Sequence, residues 1–327
     1  MRIGGRRSFP QWAVQENDFG AKSFQYMIWR CIIQIAMPSF AQVKLREPAV
    51  ALDPERLLAL EIPSRQVDYS DRDTLLYALS LGAGFDKDLR FVHEDEQRVV
   101  PSFGQSLTFD DSWMDPTGVD LAKVVHGGLD LRFDAPFTPA GSVELRSSIV
   151  GLGDKGEGKA AIILQETELL QEGRRIFTSL SSLFVRGGGG FGGSVGQQPE
   201  MNASPDREPD ETFEVSTRAD QALLFRLLGD RNPLHALPEV ARAAGFERPI
   251  LHGACTFGIA CLTVLQRYCD GDPARLSRFA ARFSGPLYPG ETLVFSFWKL
   301  DTGISFSAKT KERGLPVLDG GRADIQA

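Results

Sequence analysis

The sequence has few cysteines, and their spacing does not indicate disulfide bonds or a metal site. Its four cysteines include no Cys-x-x-Cys pair, so neither a disulfide framework nor a zinc knuckle is expected. No cluster of metal-ligand residues and no dinucleotide-binding fingerprint is present either, so we predict a protein without metal or cofactor.

Long apolar runs and excess positive charge are also missing. The most apolar window, residues 26–36, is interrupted by Arg30 and Gln34, so no membrane span is expected. The net charge is −7, whereas nucleic acids and acidic membranes are bound by clustered Lys and Arg. We therefore expect a small-molecule partner and no nucleic acid.

The two ends of the chain show no clear targeting signal. Arg2, Arg6 and Arg7 faintly mimic a targeting segment, but no clean apolar block that ends in small residues follows them. Met37 offers an alternative start, so residues 1–36 are predicted to be an extension outside the fold. The last residues, 325–327, read Ile-Gln-Ala and differ from a Ser-Lys-Leu peroxisomal tail. These features favour a cytoplasmic location.

Two pairs of matching segments indicate an internal duplication. Residues 67–84 and 215–232 share a pattern of leucines and aromatics at an offset of 148 residues. Residues 132–141 and 282–290 both place two prolines and a glycine after Arg-Phe, at an offset of 150 residues with one residue slipped. A repeat of this length predicts a duplicated domain and not a solenoid.

Each half is predicted to contain a short strand, a helix, a variable segment and a run of antiparallel strands. Apolar alternation marks these strands at residues 143–150, 160–165, 176–185, 292–299 and 304–310. Between the halves, residues 187–193 read GGGGFGG and residues 197–210 are rich in Pro, Asp and Glu, which predicts a flexible, solvated linker. No helix follows the glycines, which disfavours a phosphate-binding loop.

The second half carries the constellation that suggests chemistry. A helix over residues 223–228 is predicted to stop at Gly229, and Asp230, Asn232 and His235 follow on a tight loop. A carboxylate and an imidazole on one turn can converge on a water molecule, while the Asn amide orients the water or the imidazole. The alternative at this point is structural, with Asp230 as a cap, Asn232 as a turn former and His235 at the surface.

A buried helix is predicted to start at Gly253, because residues 253–261 are apolar or small and almost no charge precedes Arg267. Its first backbone N–H groups could stabilise an oxygen that gains negative charge. His252 precedes this helix and is interpreted mainly as a cap, and Cys255 and Cys261 as core residues, since no cationic neighbour lies beside them.

These residues resemble the (3R)-specific 2-enoyl-CoA hydratases of the MaoC-like hot-dog superfamily, in particular the two-domain hydratase unit of peroxisomal multifunctional beta-oxidation enzymes. The resemblance rests on GDRNPLH at 229–235 with AGFERPILHGACTFG at 244–258. Further matching segments are VVHG at 124–127, DKGEG at 154–158, RGGGGFGG at 186–193 and RFSGPLYPG at 282–290.

The resemblance implies an α+β double hot-dog, with two antiparallel sheets that each wrap a helix. It also implies that Asp230 and His235 are the catalytic pair, that Asn232 orients the water, and that the Gly253 amide receives the thioester oxygen. An acyl-CoA substrate and a homodimer are expected, and a peroxisomal location becomes possible. The predicted domains are the extension 1–36, a non-catalytic domain 37–186, the linker 187–210 and a catalytic domain 211–327.

Three positions depart from the family pattern. Leu228 stands where Ser or Thr is common, Leu237-Pro238 where Asp-Pro is frequent, and Gly128-Leu129 where Glu-Gln often follows the VVHG segment. These changes leave the catalytic pair intact.

The first half is predicted to be non-catalytic. At the offset of 148 residues, Asp230, Arg231 and Asn232 correspond to Gly82, Ala83 and Gly84. The segment from Val100 to Met114 replaces the long buried helix of the second half and is interrupted by Pro, Gly and Asp, which predicts a reduced central helix and room for an acyl chain.

The predicted reaction is reversible hydration of trans-2-enoyl-CoA to (3R)-3-hydroxyacyl-CoA with medium, long or branched acyl chains, in fatty-acid or steroid side-chain beta-oxidation. Three alternatives stay open: dehydration of a (3R)-hydroxyacyl group on an acyl carrier protein, binding of acyl-CoA without turnover, and thioester hydrolysis.

Overall fold

The computed structural model describes residues 51–84, 88–109, 112–120, 123–200 and 202–326. The predicted extension 1–36, Met37 and the start of the first domain lie outside the described residues. No helix in the described part of the chain is both long enough and apolar enough to cross a membrane.

Among the described residues, the first half contains four short helices and five strands. In chain order these are α1 (Pro54–Leu58), β1 (Arg65–Tyr69), α2 (Asp71–Ser80), α3 (Gly104–Leu107), α4 (Met114–Thr117), β2 (Val124–Phe133), β3 (Gly141–Asp154), β4 (Ala161–Gln171) and β5 (Arg174–Val185). Helix α2 begins with a capping box in which the Asp73 carboxylate accepts the Ser70 N–H at 2.8 Å.

The second half repeats this order after a two-residue strand, β6 (Val195–Gly196). Its elements are β7 (Glu211–Ser216), α5 (Gln221–Phe225), α6 (Pro238–Ala243), α7 (Gly253–Tyr268), β8 (Leu276–Phe283), β9 (Thr292–Leu300), β10 (Gly303–Thr310) and β11 (Pro316–Ile325). The strands predicted from apolar alternation lie within these elements, except that the strand predicted from residue 160 begins at Ala161.

The strand order shows the duplication. The long strands form one antiparallel sheet in the order β1-β3-β4-β5-β2-β8-β11-β10-β9-β7, which is the same five-strand arrangement written twice in opposite directions. The two predicted sheets are therefore continuous across the β2–β8 seam. This arrangement confirms the α+β double hot-dog class.

Charged side chains reinforce that seam. Arg278 on β8 donates two hydrogen bonds, at 2.9 and 2.7 Å, to the carboxylate of Asp130 on β2, and it also contacts Glu200. A bidentate guanidinium–carboxylate pair has a fixed geometry, so it helps to set the register between the halves.

Helix α7 is the centre of the second half. Its residues from Cys255 to Leu265 are all buried, and Phe257 packs edge-on against Phe279 of β8 with ring centroids 4.9 Å apart. A helix that is apolar all round requires protein on every side. The sheet and the first half provide it.

The corresponding segment of the first half is broken, as predicted. A 3-10 turn at Pro101–Phe103 leads into the four-residue α3, and α4 follows only at Met114. The predicted room for an acyl chain is not found at Gly104, because a Cβ placed there would lie 2.6 Å from the Phe177 ring and 2.8 Å from the Phe137 ring. Aromatic side chains occupy this part of the interior.

The glycine-rich segment between the halves is anchored, in contrast to the predicted flexible linker. The carboxylate of Asp154, at the end of β3, accepts the N–H groups of Gly190, Gly192 and Gly193 at 2.8, 2.9 and 3.1 Å. Strand β6 then pairs with β3.

Candidate active site

The loop after α5 is shaped by its own side chains. The helix continues as a 3-10 turn to Leu228 and stops at Gly229, whose φ of +126° strongly favours glycine. The Asp230 carboxylate then accepts the Asn232 N–H at 3.1 Å, and the Asn232 side-chain oxygen accepts the Leu234 N–H at 3.0 Å. Both residues therefore form the turn, yet each keeps one polar end, the second carboxylate oxygen of Asp230 and the amide NH₂ of Asn232.

His235 lies at the end of this turn and is only 8% exposed. Its Nδ1 is 2.8 Å from the carbonyl oxygen of Ile250, and since a carbonyl only accepts, Nδ1 carries the proton. Burial lowers the pKa of His235 below its ordinary value, although the Asp230 charge opposes that shift. The ring is therefore neutral at pH 7, with a lone pair on Nε2 that can accept a proton.

His252 connects the loop to helix α7. Its Nε2 donates to the backbone carbonyl of Asp230 at 3.2 Å, and its ring stacks on that of His235 with centroids 3.7 Å apart. Burial, with a smaller contribution from the neighbouring His235, lowers the pKa of His252 to about 2. His252 is the N-cap residue of α7, as predicted, but its side chain makes no capping hydrogen bond and supports the loop instead.

Asp230, His235 and His252 each offer one polar atom, and these atoms all lie within 4.8 Å of one another. Two imidazoles and one carboxylate are a donor set that metals use. Here, however, the two rings are stacked, so their lone pairs point along nearly parallel planes and suit one shared ion poorly. The arrangement suits proton transfer better.

The start of α7 faces the same site. Gly253 is exposed, and the N–H groups of the first helical turn have no partner within the helix, so the positive end of the helix dipole is open. A Cβ at residue 253 would lie 3.2 Å from the Phe283 ring, so glycine keeps this backbone accessible. A ligand oxygen can approach the Gly253 N–H.

The first half contributes a histidine that the sequence analysis left without a role. A bulge in β2 between His126 and Gly128 places the His126 Nε2 2.8 Å from the Ser181 hydroxyl and its ring 5.2 Å from that of Phe283. The His126 side chain is exposed to solvent, and the negative charge of Asp230 is close enough to favour its protonated form. Three of the four histidines of the chain thus lie at one cleft. This clustering is produced by the fold and is not visible in the sequence.

The structure brings the four predicted site residues, Asp230, Asn232, His235 and Gly253, to this one place. The predicted core cysteines Cys255 and Cys261 are fully buried, and burial raises the pKa of Cys261 to about 12. In the first half, Gly82 stands at the position that corresponds to Asp230 and has a φ of +92°, a backbone conformation that favours glycine.

A double hot-dog with an acid–base cluster beside a helix N-terminus defines the class of this protein. The MaoC like domain family matches residues 200–320, and the MFE-2 hydratase 2 N-terminal domain family matches residues 67–187. The chain belongs to the MaoC-like hydratase and dehydratase family, in its two-domain hydratase 2 form.

Individual relatives cover most of the chain. Enoyl-CoA hydratase ChsH3 of Mycobacterium tuberculosis is 38% identical over 259 residues, which are 76% of this chain and 90% of that protein. A probable enoyl-CoA hydratase 2 of Dictyostelium discoideum is 37% identical and covers 85% of this chain and 98% of its own. The crystal structure of a MaoC-like dehydratase from Phytophthora capsici, 31% identical, aligns with a TM-score of 0.76 over 83% of this chain and 98% of the other.

Proposed function

We propose that this protein is a hydro-lyase that adds water reversibly across the double bond of a trans-2-enoyl-CoA. The observation that carries the proposal is the position of His235, whose Nδ1 bonds to the Ile250 carbonyl while its ring lies beside the Asp230 carboxylate and stacks on His252, the residue before Gly253. Relatives named as enoyl-CoA hydratases support the same reaction.

We infer the following steps for the hydration. Asp230 and His235 hold a water molecule, with the Asn232 amide directing it, and remove one proton as the oxygen attacks C3. The electrons of the C2–C3 bond move to the thioester carbonyl, whose oxygen gains negative charge and accepts the Gly253 N–H. The enolate then collapses, and the proton held by the pair is delivered to C2. Because one pair serves both transfers, the addition is syn.

The decisive test is a spectrophotometric assay at the absorption band of the conjugated thioester. We expect loss of this band with crotonyl-CoA or with a longer or branched enoyl-CoA. Asp230→Asn and His235→Ala should each lower kcat by at least about a hundredfold, the usual scale for loss of an acid–base group. Near-normal turnover in both folded variants would contradict the assignment of Asp230 and His235 as the acid–base pair.

The product is proposed to be the (3R)-hydroxyacyl-CoA. An (S)-specific hydroxyacyl-CoA dehydrogenase with NAD as coupling reagent should leave it unoxidised, and prompt NADH formation would contradict this stereochemistry. Medium, long or branched acyl chains, of fatty-acid or steroid side-chain origin, are proposed as substrates, and kcat/KM across a chain-length series tests this.

The reverse reaction on a carrier protein is the second candidate, since the structurally similar protein from Phytophthora capsici is described as a dehydratase. Parallel assays of a 3-hydroxyacyl-CoA and the same group on acyl carrier protein separate the two. Release of free thiol in either assay would instead indicate a thioesterase, and chain-length-dependent binding without turnover a binding protein.

We propose that the protein is a homodimer. We also propose that it is located in the cytoplasm, with the peroxisome as the alternative. Light scattering of the purified protein at micromolar concentration gives its mass, and fractionation of the source cells gives its compartment.

A further inference from the structure

The non-catalytic half holds the first turn of helix α7. Gln105 of α3 is 7% exposed, and its Nε2 donates to the carbonyl oxygen of Ala254 at 2.9 Å and to the hydroxyl oxygen of Tyr77 at 2.8 Å. Because the carbonyl of Ala254 can only accept, the orientation of the Gln105 amide is fixed. The Tyr77 hydroxyl in turn donates to Ser102 at 2.9 Å, so the network is anchored within the first half.

A second contact lies one residue further along the same turn. The thiol of Cys255 points at the backbone carbonyl of Ser80, with Sγ 3.6 Å from the oxygen. Ser80 belongs to α2 of the first half, and its carbonyl also accepts the Gln221 side chain at 2.9 Å. Ala254 and Cys255, the two residues that follow Gly253, are therefore both held by the first half.

The side-chain amide of Gln105 also has a destabilising feature. Its Oε1 is buried and has no hydrogen-bond partner in the described part of the chain. An unsatisfied buried acceptor disfavours folding, and a methionine of similar length would avoid it. A glutamine at this position therefore needs another explanation, such as a benefit to function.

We propose that Gln105 is a positioning residue for the thioester-carbonyl site, acting through Ala254 on the adjacent Gly253 amide. The inference rests on the proposed role of Gly253. A donor from outside the helix polarises the Ala254–Cys255 peptide and fixes the direction in which the first turn presents its N–H groups. The half that lacks an acid–base pair thus takes part in catalysis by holding the helix that binds the developing oxyanion.

The first test is kinetic and uses the full chain. Gln105→Met should lower kcat about five- to tenfold with KM little changed, since a misaligned donor weakens binding of the transition state more than that of the substrate. Ser106→Ala is the matched control on the same short helix, because the Ser106 hydroxyl donates to the nearby Phe103 carbonyl at 2.7 Å, and this variant should keep the wild-type kcat.

The second test is spectroscopic and separates this proposal from the proposed function. An Asp230→Asn protein should bind hexadienoyl-CoA without turning it over, and a carbonyl polarised by Gly253 shifts the absorption band of this thioester to the red. We expect Asp230→Asn/Gln105→Met to show a clearly smaller shift. An unchanged shift in the double variant would overturn the role of Gln105, whereas no shift in Asp230→Asn alone would remove the role of Gly253 itself.

If Gln105→Met does not fold, variants of Cys255 test whether the first half positions the first turn of α7. Cys255→Ala removes the donor to Ser80, while Cys255→Ser keeps a hydroxyl in its place. We expect a lower kcat and a smaller red shift in the alanine variant with recovery in the serine variant. Equal kcat and equal shift in the two would show that the first half does not position this turn.

Discussion

The rings of His235 and His252 stack with their centroids 3.7 Å apart and their planes 27° from parallel. The stack joins the loop that carries Asp230 to the residue directly before Gly253, and the His252–Asp230 hydrogen bond closes the same connection. The proposed acid–base pair and the proposed oxyanion site are therefore held in one fixed relation.

The first prediction concerns His252 as the connector. His252→Phe keeps an aromatic ring against His235 but loses the hydrogen bond to the Asp230 carbonyl, so we expect kcat to fall about tenfold with only a small change in KM. Steady-state kinetics with crotonyl-CoA measures this. His93→Phe is the control, since His93 is exposed and distant in the chain, and it should behave as wild type. An unchanged kcat in folded His252→Phe would show that the connection is dispensable.

The second prediction is a loss of stability on acidification. Burial lowers the pKa of His235 and brings that of His252 to about 2, from an ordinary value of 6.5. Below pH 6.5 the unfolded chain therefore takes up protons that the folded protein does not, so the free energy of unfolding decreases as the pH falls. The limiting slope is about 1.4 kcal/mol per pH unit for each such histidine.

Urea titrations at pH 7 and at pH 5 measure that slope. In His252→Phe the slope should decrease by the contribution of one histidine, whereas His93→Phe should leave it unchanged. A slope equal to wild type in His252→Phe would mean that His252 is accessible to protons in the folded state.

Much of the fold and site could be predicted from the sequence, because the relevant signals are local. Gly229, Pro233 and the spacing of Asp230 and His235 define a turn without reference to the rest of the chain. The buried helix starting at Gly253 was predicted for the same reason, since an apolar run followed by polar residues marks its length.

The contributions of the first half could not be predicted, because they depend on long-range packing. His126 enters the cleft through a bulge in β2, and Gln105 reaches Ala254 across 149 residues of sequence. The crowding at Gly104 is also a long-range effect. An interrupted helix predicts free space, but the rings of Phe137 and Phe177 approach this glycine from other parts of the chain.

The third prediction tests this packing. Gly104→Ala places a methyl group 2.6 Å from the Phe177 ring, so we expect about 1–3 kcal/mol of destabilisation from overpacking. Gly84→Ala is the matched control, because a Cβ there has no atom within 4 Å in the described structure. Urea denaturation compares the two. If Gly104→Ala is as stable as Gly84→Ala, the interior has room after all, and selective effects on long acyl chains become worth measuring.

The last prediction concerns the anchored glycine segment. Besides three linker glycines, the Asp154 carboxylate accepts the Gly156 N–H at 2.8 Å, and these backbone donors, Gly190 first, lower the pKa of Asp154 to about 2. In Asp154→Ala these N–H groups lose their acceptor, so residues 187–196 should open far more often. Limited proteolysis under native conditions should then cut this segment at least about tenfold faster, because cleavage follows the population of the open form.

Two further variants make that experiment specific. Asp154→Asn keeps one acceptor oxygen and should be cut at an intermediate rate, while Lys155→Ala, an exposed change in the same turn, should be cut at the wild-type rate. The depressed pKa also sets the sign of a pH effect. The anchor is complete above the ordinary aspartate pKa of 3.8 and is lost only as the pH falls through about 2, so cleavage in the wild type should not rise between pH 7 and pH 5. Mass spectrometry locates the cut, and equal rates in Asp154→Ala and Lys155→Ala would mean that contacts other than the carboxylate hold the segment.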